Sequence, residues 1–192
     1  MAWFNSLRSG KGGKSGFERL VLRPFKRNDY HIWYKQFDNR SPSQYKYDDG
    51  RPSNLDAYTE EWFTQWVSNF DQSAKEDKMY NLGVFRKEDG VNVGKIELLT
   101  IMRMDYQWAM MGYSIHNQFW KKGYGIESVL AATELFFNRM DFHRIELHIH
   151  EDNLPSIKLA EKAGYIFECI RKDFSLEDDR WTDFCIYYQN RS

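Results

Sequence analysis

The segment that most limits how this chain can fold is Tyr113-Ser114-Ile115-His116-Asn117-Gln118-Phe119-Trp120-Lys121-Lys122-Gly123-Tyr124-Gly125-Ile126-Glu127-Ser128. An apolar strand pattern enters a short loop with two glycines, and the second, Gly125, is expected to open a long helix. Backbone N–H groups at a helix start have no partner inside the helix, and the helix dipole puts partial positive charge there. Glycine lets the main chain approach a ligand closely because it has no Cβ. Lys121 and Lys122 add cations at the same place. Together these features predict a seat for a phosphate-bearing cofactor, built from the N–H groups of residues 122–126.

Two common phosphate motifs do not fit. A dinucleotide turn needs G-x-G-x-x-G early in the chain, and here Ser128 stands in the third glycine position. A nucleoside-triphosphate loop needs G-x-x-x-x-G-K-[ST]. Gly13-Lys14-Ser15 matches its end, but Arg8 occupies the first glycine position and no buried strand precedes it. Residues 1–17, rich in Gly, Ser and Lys, read as a flexible N-terminal tail, and 18–192 as one domain.

Bulk properties narrow the function classes. A net charge of −1 gives no footprint for nucleic-acid binding. Aromatic residues make up 17% of a chain whose mean hydropathy is only −0.73, which predicts a polar surface around an aromatic core or cleft. No apolar run reaches the roughly 18 residues of a membrane span, and the first residues lack the apolar stretch of a signal peptide. Cys169 and Cys185 form no disulfide framework and lie in apolar strand patterns, so buried thiols and a cytoplasmic location are expected.

Patterning gives an order of elements. A strand is expected at 18–25, helices at 28–38 and 56–70, and a polar loop between them. The second helix carries Trp62, Phe63, Trp66 and Phe70 on one side, read first as core and second as an acceptor-pocket wall. Strands follow at 79–86, 93–101 and 106–115, with Glu88-Asp89-Gly90 as the first hairpin turn. A helix at 125–140 presents Ile126, Val129, Leu130, Thr133, Phe137 and Met140 as one stripe. The strand 144–150 alternates, with Ile145, Leu147 and Ile149 on one face and Glu146, His148 and His150 on the other. Asp152 or Asn153 caps a helix at 154–163 with Pro155 in its first turn, and Gly164 ends it. Two strands, 165–175 and 182–189, close the chain around Glu177-Asp178-Asp179.

That order resembles the GNAT superfamily of acyl-CoA N-acyltransferases. Trp120-Lys121-Lys122-Gly123-Tyr124-Gly125 is similar to the family's [RQ]-x-x-G-x-[GA] loop, with Trp in its first position. Asn153 to Tyr165 is similar to N-x-x-S-x-x-L-x-E-K-x-G-[FY] of the RimJ/RimL-like branch, which acetylates ribosomal-protein N-termini. Leu22-Arg23-Pro24-Phe25 with Asn28-Asp29 resembles that branch as well. The likeness spans residues 18–189. It implies an α+β three-layer fold: a mostly antiparallel, twisted, seven-stranded sheet, helices on both faces, and a fourth and fifth strand that splay apart.

The resemblance also implies chemistry. Acetyl-CoA would be the cosubstrate, its pantetheine arm in the splay and its pyrophosphate on the glycine loop. Cofactor contacts would come from Ile115, Trp120, Lys121, Lys122, Gly123, Tyr124, Gly125, Ile126, Asn153 and Ser156. An amine, either a protein N-terminus or a small molecule, would attack the thioester directly. A backbone N–H near Ser114–Ile115 would serve the oxyanion, and Ser156 would be the partner of the leaving thiolate. Ala160 stands where many members carry a tyrosine, and Met110-Met111 stand where the branch often carries a glutamate. Glu97, His116 or a water chain are therefore the candidate bases. A homodimer is compatible with the likeness.

Sharper readings compete with plainer ones. Glu146, His148 and His150, with His143 near, could hold zinc, but a polar sheet face is the plainer reading and no metal is expected. The acidic residues Asp173, Glu177, Asp178, Asp179 and Asp183 could attract a cationic acceptor or form a solvated turn. The alternative to an enzyme is a non-catalytic acyl-CoA sensor. A nucleotide site at Gly13-Lys14-Ser15 is a third reading.

Overall fold

A computed structural model describes residues 19–192. The expected tail 1–17 and its Gly13-Lys14-Ser15 lie outside the described residues. Seven strands form one sheet: β1 (Leu20–Pro24), β2 (Met79–Arg86), β3 (Asn92–Met102), β4 (Trp108–Ile115), β5 (Arg144–His150), β6 (Ile166–Glu177) and β7 (Arg180–Asn190). Four helices accompany them: α1 (Tyr30–Asp38), α2 (Glu60–Lys75), α3 (Tyr124–Arg139) and α4 (Leu154–Lys162). The strand order is β1-β2-β3-β4-β5-β7-β6. All neighbours run antiparallel except β4 and β5.

Period-two alternation sorts side chains between two cores. On β2, Leu82 and Val84 join the larger cluster, with Ile96 and Leu98 of β3 and Val129 and Phe136 of α3. Phe85, of opposite parity, joins Phe25, Trp33, Phe63 and Val67 under α1 and α2. The sheet thus separates a larger, mainly aliphatic layer that also buries rings such as Phe136 and Phe142 from a smaller one made mostly of aromatic rings.

Local chemistry sets most boundaries. Thr59 caps α2 by accepting from the Trp62 N–H at 3.2 Å, so the helix starts at Glu60 and runs to Lys75 rather than over 56–70. Its buried residues are Phe63 and Val67, while Trp62 lies at the rim. Asn153, not Asp152, caps α4, with Pro155 in the first turn. Asp178 and Asp179 both take positive φ between β6 and β7, the backbone of a tight two-residue hairpin turn. Cys185 is buried, but Cys169 is only half-buried, because β6 is the outer strand of the sheet.

The β4–β5 pair matters most. It holds only three residue pairs, Trp108↔Arg144, Ala109↔Ile145 and Met110↔Glu146. Beyond Met110, β4 stays paired to β3 as far as Ile115, and β5 stays paired to β7 as far as His150. The two strands therefore diverge, and the sheet opens into a V. Among the described residues no helix is long and apolar enough to cross a membrane.

Candidate functional site

The opening is framed by the end of β4, the glycine loop, and the start of α4. Gly123 caps α3 with φ +81°, a left-handed conformation that glycine adopts freely. The helix therefore begins at Tyr124, one residue earlier than a start at Gly125. The first intrahelical bond is from Glu127 N–H to Gly123 O, at 3.2 Å. The N–H groups of Tyr124, Gly125 and Ile126 precede it, as an anion seat requires. Lys121 also takes positive φ (+59°), and both lysines are exposed. Arg19 anchors the loop from outside by donating to Glu127 and, from Nη1, to Lys122 O at 3.0 Å. Gly125 answers a packing need: a Cβ there would lie 2.8 Å from Leu159 Cδ1, so α3 and α4 meet closely at this point.

Trp120 stands where an Arg or Gln was the expected type. Its indole N–H donates to Ile115 O at 2.7 Å, and its ring meets Tyr45 at 5.7 Å. It thereby ties the end of β4 to the loop. Asn153 Oδ1 accepts from the Ser156 N–H at 3.4 Å. The Ser156 hydroxyl lies 2.8 Å from the Tyr113 hydroxyl, which also lies 3.2 Å from Ser156 O. Burial pushes the Tyr113 phenol up to about 12, against the Ser156 hydrogen bond that lowers it, so it stays protonated at neutral pH. Tyr113 was not a candidate from sequence. The available signal was its parity with Met111, which turns it toward the α3 side of the sheet at the point where the strands part.

The segment between α1 and α2 crosses the mouth of the V. Asn117 holds it through Ser41 N–H at 2.7 Å and Asp48 Oδ2 at 3.0 Å. Lys46 pairs with Asp152 at 3.1 Å, Tyr47 donates to the same carboxylate, and the Tyr47 ring stacks on His150 at 4.8 Å.

The candidate bases lie apart from the glycine loop, toward α1 and α2. His116 is buried. Its Nε2 lies 3.1 Å from Asn92 Oδ1, and its Nδ1 accepts from Arg40 Nε at 2.9 Å. Asn92 Nδ2 donates to the carbonyls of Val84 and Gly94, so its Oδ1 is the acceptor and His116 carries its proton on Nε2. Burial, then the charges of Arg40 and Lys95, push His116 down to about 3. The imidazole is therefore neutral with both nitrogens engaged. Glu97 faces Gly112 across β3–β4 and pairs with Lys95 at 2.9 Å.

A cavity of about 160 Å³ lies on that side, walled by Trp33, Phe37, Tyr58, Trp62 and Trp66 and floored by Lys95, Ser114 and His116. The face of Glu146, His148 and His150 is not a polar surface. Glu146 is 1% exposed and paired with Arg144 (2.9 Å), His148 (2.9 Å) and Arg171 (3.2 Å), which hold its carboxyl below the usual range against burial. His150 pairs with Glu177 at 3.0 Å. Among the described residues no group of His, Cys, Asp or Glu is arranged to hold a metal ion. Of the acidic residues at the last hairpin, Asp183 is matched by Lys172 at 2.6 Å.

Residues 19–166 match the acetyltransferase (GNAT) domain family, and the chain belongs to it. It is an acyltransferase enzyme of that type. The probable N-acetyltransferase YjcK of Bacillus subtilis (strain 168) is 29% identical over 128 residues, 67% of this chain and 71% of that one. The [ribosomal protein uS5]-alanine N-acetyltransferase of Escherichia coli (strain K12) is 26% identical over 109 residues, 57% of this chain and 56% of that one. The structure of Mycobacterium smegmatis RimJ in complex with CoA-disulfide superposes with a TM-score of 0.73 at 17% identity, covering 89% of this chain and 81% of that one.

Proposed function

We propose that the enzyme moves an acetyl group from acetyl-CoA to a primary amine in a ternary complex. One observation carries the reading: the β4–β5 splay opens between the Gly123 cap and the Tyr113–Ser156 pair. The pyrophosphate would sit on the N–H groups of Tyr124, Gly125 and Ile126, with Lys121 and Lys122 outside them. The pantetheine arm would use the edge of β4 that faces β5 and has no partner strand beyond Met110, in the manner of an added strand.

The amine nitrogen forms a bond to the thioester carbon, and the C–S bond breaks. The amide nitrogen loses one proton and the sulfur gains one. Tyr113, kept protonated by burial, and Ser156 are the donors for the leaving sulfur. His116 acts by holding Arg40 rather than by taking the proton, since Arg40 already occupies its Nδ1. Glu97 is held by Lys95. Holding both reactants in one cleft is worth up to ~7–11 kcal/mol in well-oriented systems. The acceptor class includes a protein N-terminus, the substrate type named for the uS5-alanine relative.

Calorimetry with acetyl-CoA, followed by a thiol-release assay over a panel of amines, tests the reading. Binding at the glycine loop with amine-dependent release of CoA is expected. Failure to bind acetyl-CoA would overturn it.

A further inference from the structure

We propose that the cavity under α1 and α2 selects an acceptor amine that carries a negatively charged group beside a ring-sized apolar body, with Arg40 as the partner of the anion. The inference rests on the acetyl-transfer reading and names its substrate class. The cavity's floor includes Ser114 and His116, at the end of β4 where the thioester would lie. At about 160 Å³ it holds one ring-sized group, since a dry cavity of about 150 Å³ takes a benzene.

Its charges have one sign. Arg40 and Lys95 line it, and among the described residues no carboxylate does. Lys95 is partly matched by Glu97 at 2.9 Å. Asp48 and Asp49 act on Arg40 from the neighbouring loop, but Asp48 is already bound to Asn117 and to the Gln44 and Gly50 N–H groups. Arg40 is braced by a buried chain: Nε donates to His116, and His116 to Asn92, whose amide is fixed by two carbonyls. Nη1 reaches only Gly50 O at 3.5 Å, and Nη2 has no hydrogen bond among the described residues. Ordering a half-buried guanidinium costs side-chain freedom, and its planar fork suits a carboxylate or phosphate.

The same charges bear on proton handling. With Arg40 and Lys95 in its lining and no carboxylate there among the described residues, the cavity disfavours a bound ammonium and favours the neutral, nucleophilic amine, although Glu97 offsets part of the Lys95 charge and Asp48 and Asp49 part of that of Arg40. The anion of the acceptor then answers Arg40. A polyamine meets repulsion instead.

The test compares phenylalanine, phenylalanine methyl ester, 2-phenylethylamine and spermidine as acceptors with the full chain and acetyl-CoA. The carboxylate-bearing amine is expected to lead its ester by roughly tenfold in kcat/KM, the scale of one charge-assisted bond, with spermidine last. Arg40→Gln should bring that ratio near one without changing acetyl-CoA affinity, and Arg40→Lys should keep part of it. A separate titration follows tryptophan fluorescence with 3-phenylpropionate against 2-phenylethylamine, which needs no turnover and guards against a poorly folded variant. Equal use of ester and acid, a lead for spermidine, or equal binding of the two fluorescence ligands overturns the inference. Loss of acetyl-CoA binding in wild type would instead sink the acetyl-transfer reading, and the calorimetric arm keeps the two failures apart.

Discussion

Under α3 and α4 the sheet buries mainly aliphatic side chains, including Leu82, Ile96, Leu98, Ile145 and Leu147. Under α1 and α2 it buries Phe25, Trp33, Phe63 and Phe85 against further aromatic rings. The aliphatic layer backs backbone features: a left-handed cap, a row of helix N–H groups, and a strand that loses its partner. The aromatic layer backs side-chain features: stacked indoles, a braced guanidinium and a small cavity. The first suits a ligand part recognised through its phosphates and amide arm. The second suits one recognised by shape and charge.

The largest expected effect asks whether both layers support one cooperative fold. Phe63 and Phe136 are each 0% exposed, one in each layer. Phe63→Ala and Phe136→Ala should each cost about 3–5 kcal/mol of stability in denaturant melts. A loss below about 1 kcal/mol for Phe63→Ala would mean that the aromatic layer is only a loosely attached lid.

The next effect separates chemistry from binding. Ser156→Ala and Tyr113→Phe should each lower kcat by roughly 10²-fold while leaving acetyl-CoA affinity nearly unchanged. Full turnover in both variants would remove the pair from proton transfer. If binding fell instead, the two hydroxyls would belong to the cofactor seat.

A smaller effect reads the aromatic side through pH. His116 sits at about 3 in the fold, below its ordinary 6.5, so the unfolded chain binds its proton more readily. The fold therefore loses stability from this group as pH drops below about 6.5, at about 1.4 kcal/mol per unit, reaching about 2 kcal/mol at pH 5. His116→Gln should shrink the loss between pH 7 and pH 5 by that amount in paired melts. Identical pH dependence in both proteins would show that the imidazole is not buried and neutral as described.

How far the sequence could be read depends on how local each feature is. The clean alternation of 144–150 marked β5 with its bounds, because a strand with an apolar face and a polar, ion-paired one writes its period into neighbouring residues. The Asn153-Leu154-Pro155 cap and the two-glycine loop were legible because capping and left-handed backbone are local demands. Other parts of the candidate site are built from distant pairs. Arg40 meets His116 across 76 residues under α1, and Tyr113 meets Ser156 across 43 at the splay. No local pattern marks Arg40, which sits in the polar stretch after α1. The burial of Glu146 was missed for a related reason: its partner Arg171 comes from β6, and alternation gives the face of a strand without saying what covers it. The expected start of α2 at residue 56 failed because Tyr58 N–H closes a separate turn onto Leu55 O before Thr59 caps the helix.

The smallest effect returns to the glycine loop and distinguishes two reasons for a glycine. Gly123 has φ +81°, so a side chain there is strained whatever the space around it, and its Cβ would lie 3.1 Å from Arg19 Nη2. Gly123→Ala should cost about 1 kcal/mol of stability and weaken acetyl-CoA binding several-fold, because relief of the strain would tilt the first helical N–H groups away from the anion. Gly125 has no such φ, and its Cβ would be crowded by the end of the Leu159 side chain, at 2.8 Å, with Ile115 Cγ1 at an ordinary 3.9 Å. Gly125→Ala combined with Leu159→Ala gives the new methyl room, so its effect on binding should be recovered, whereas Leu159→Ala should do nothing for Gly123→Ala. If Leu159→Ala rescued both variants equally, crowding rather than backbone geometry would be what the loop's glycines relieve.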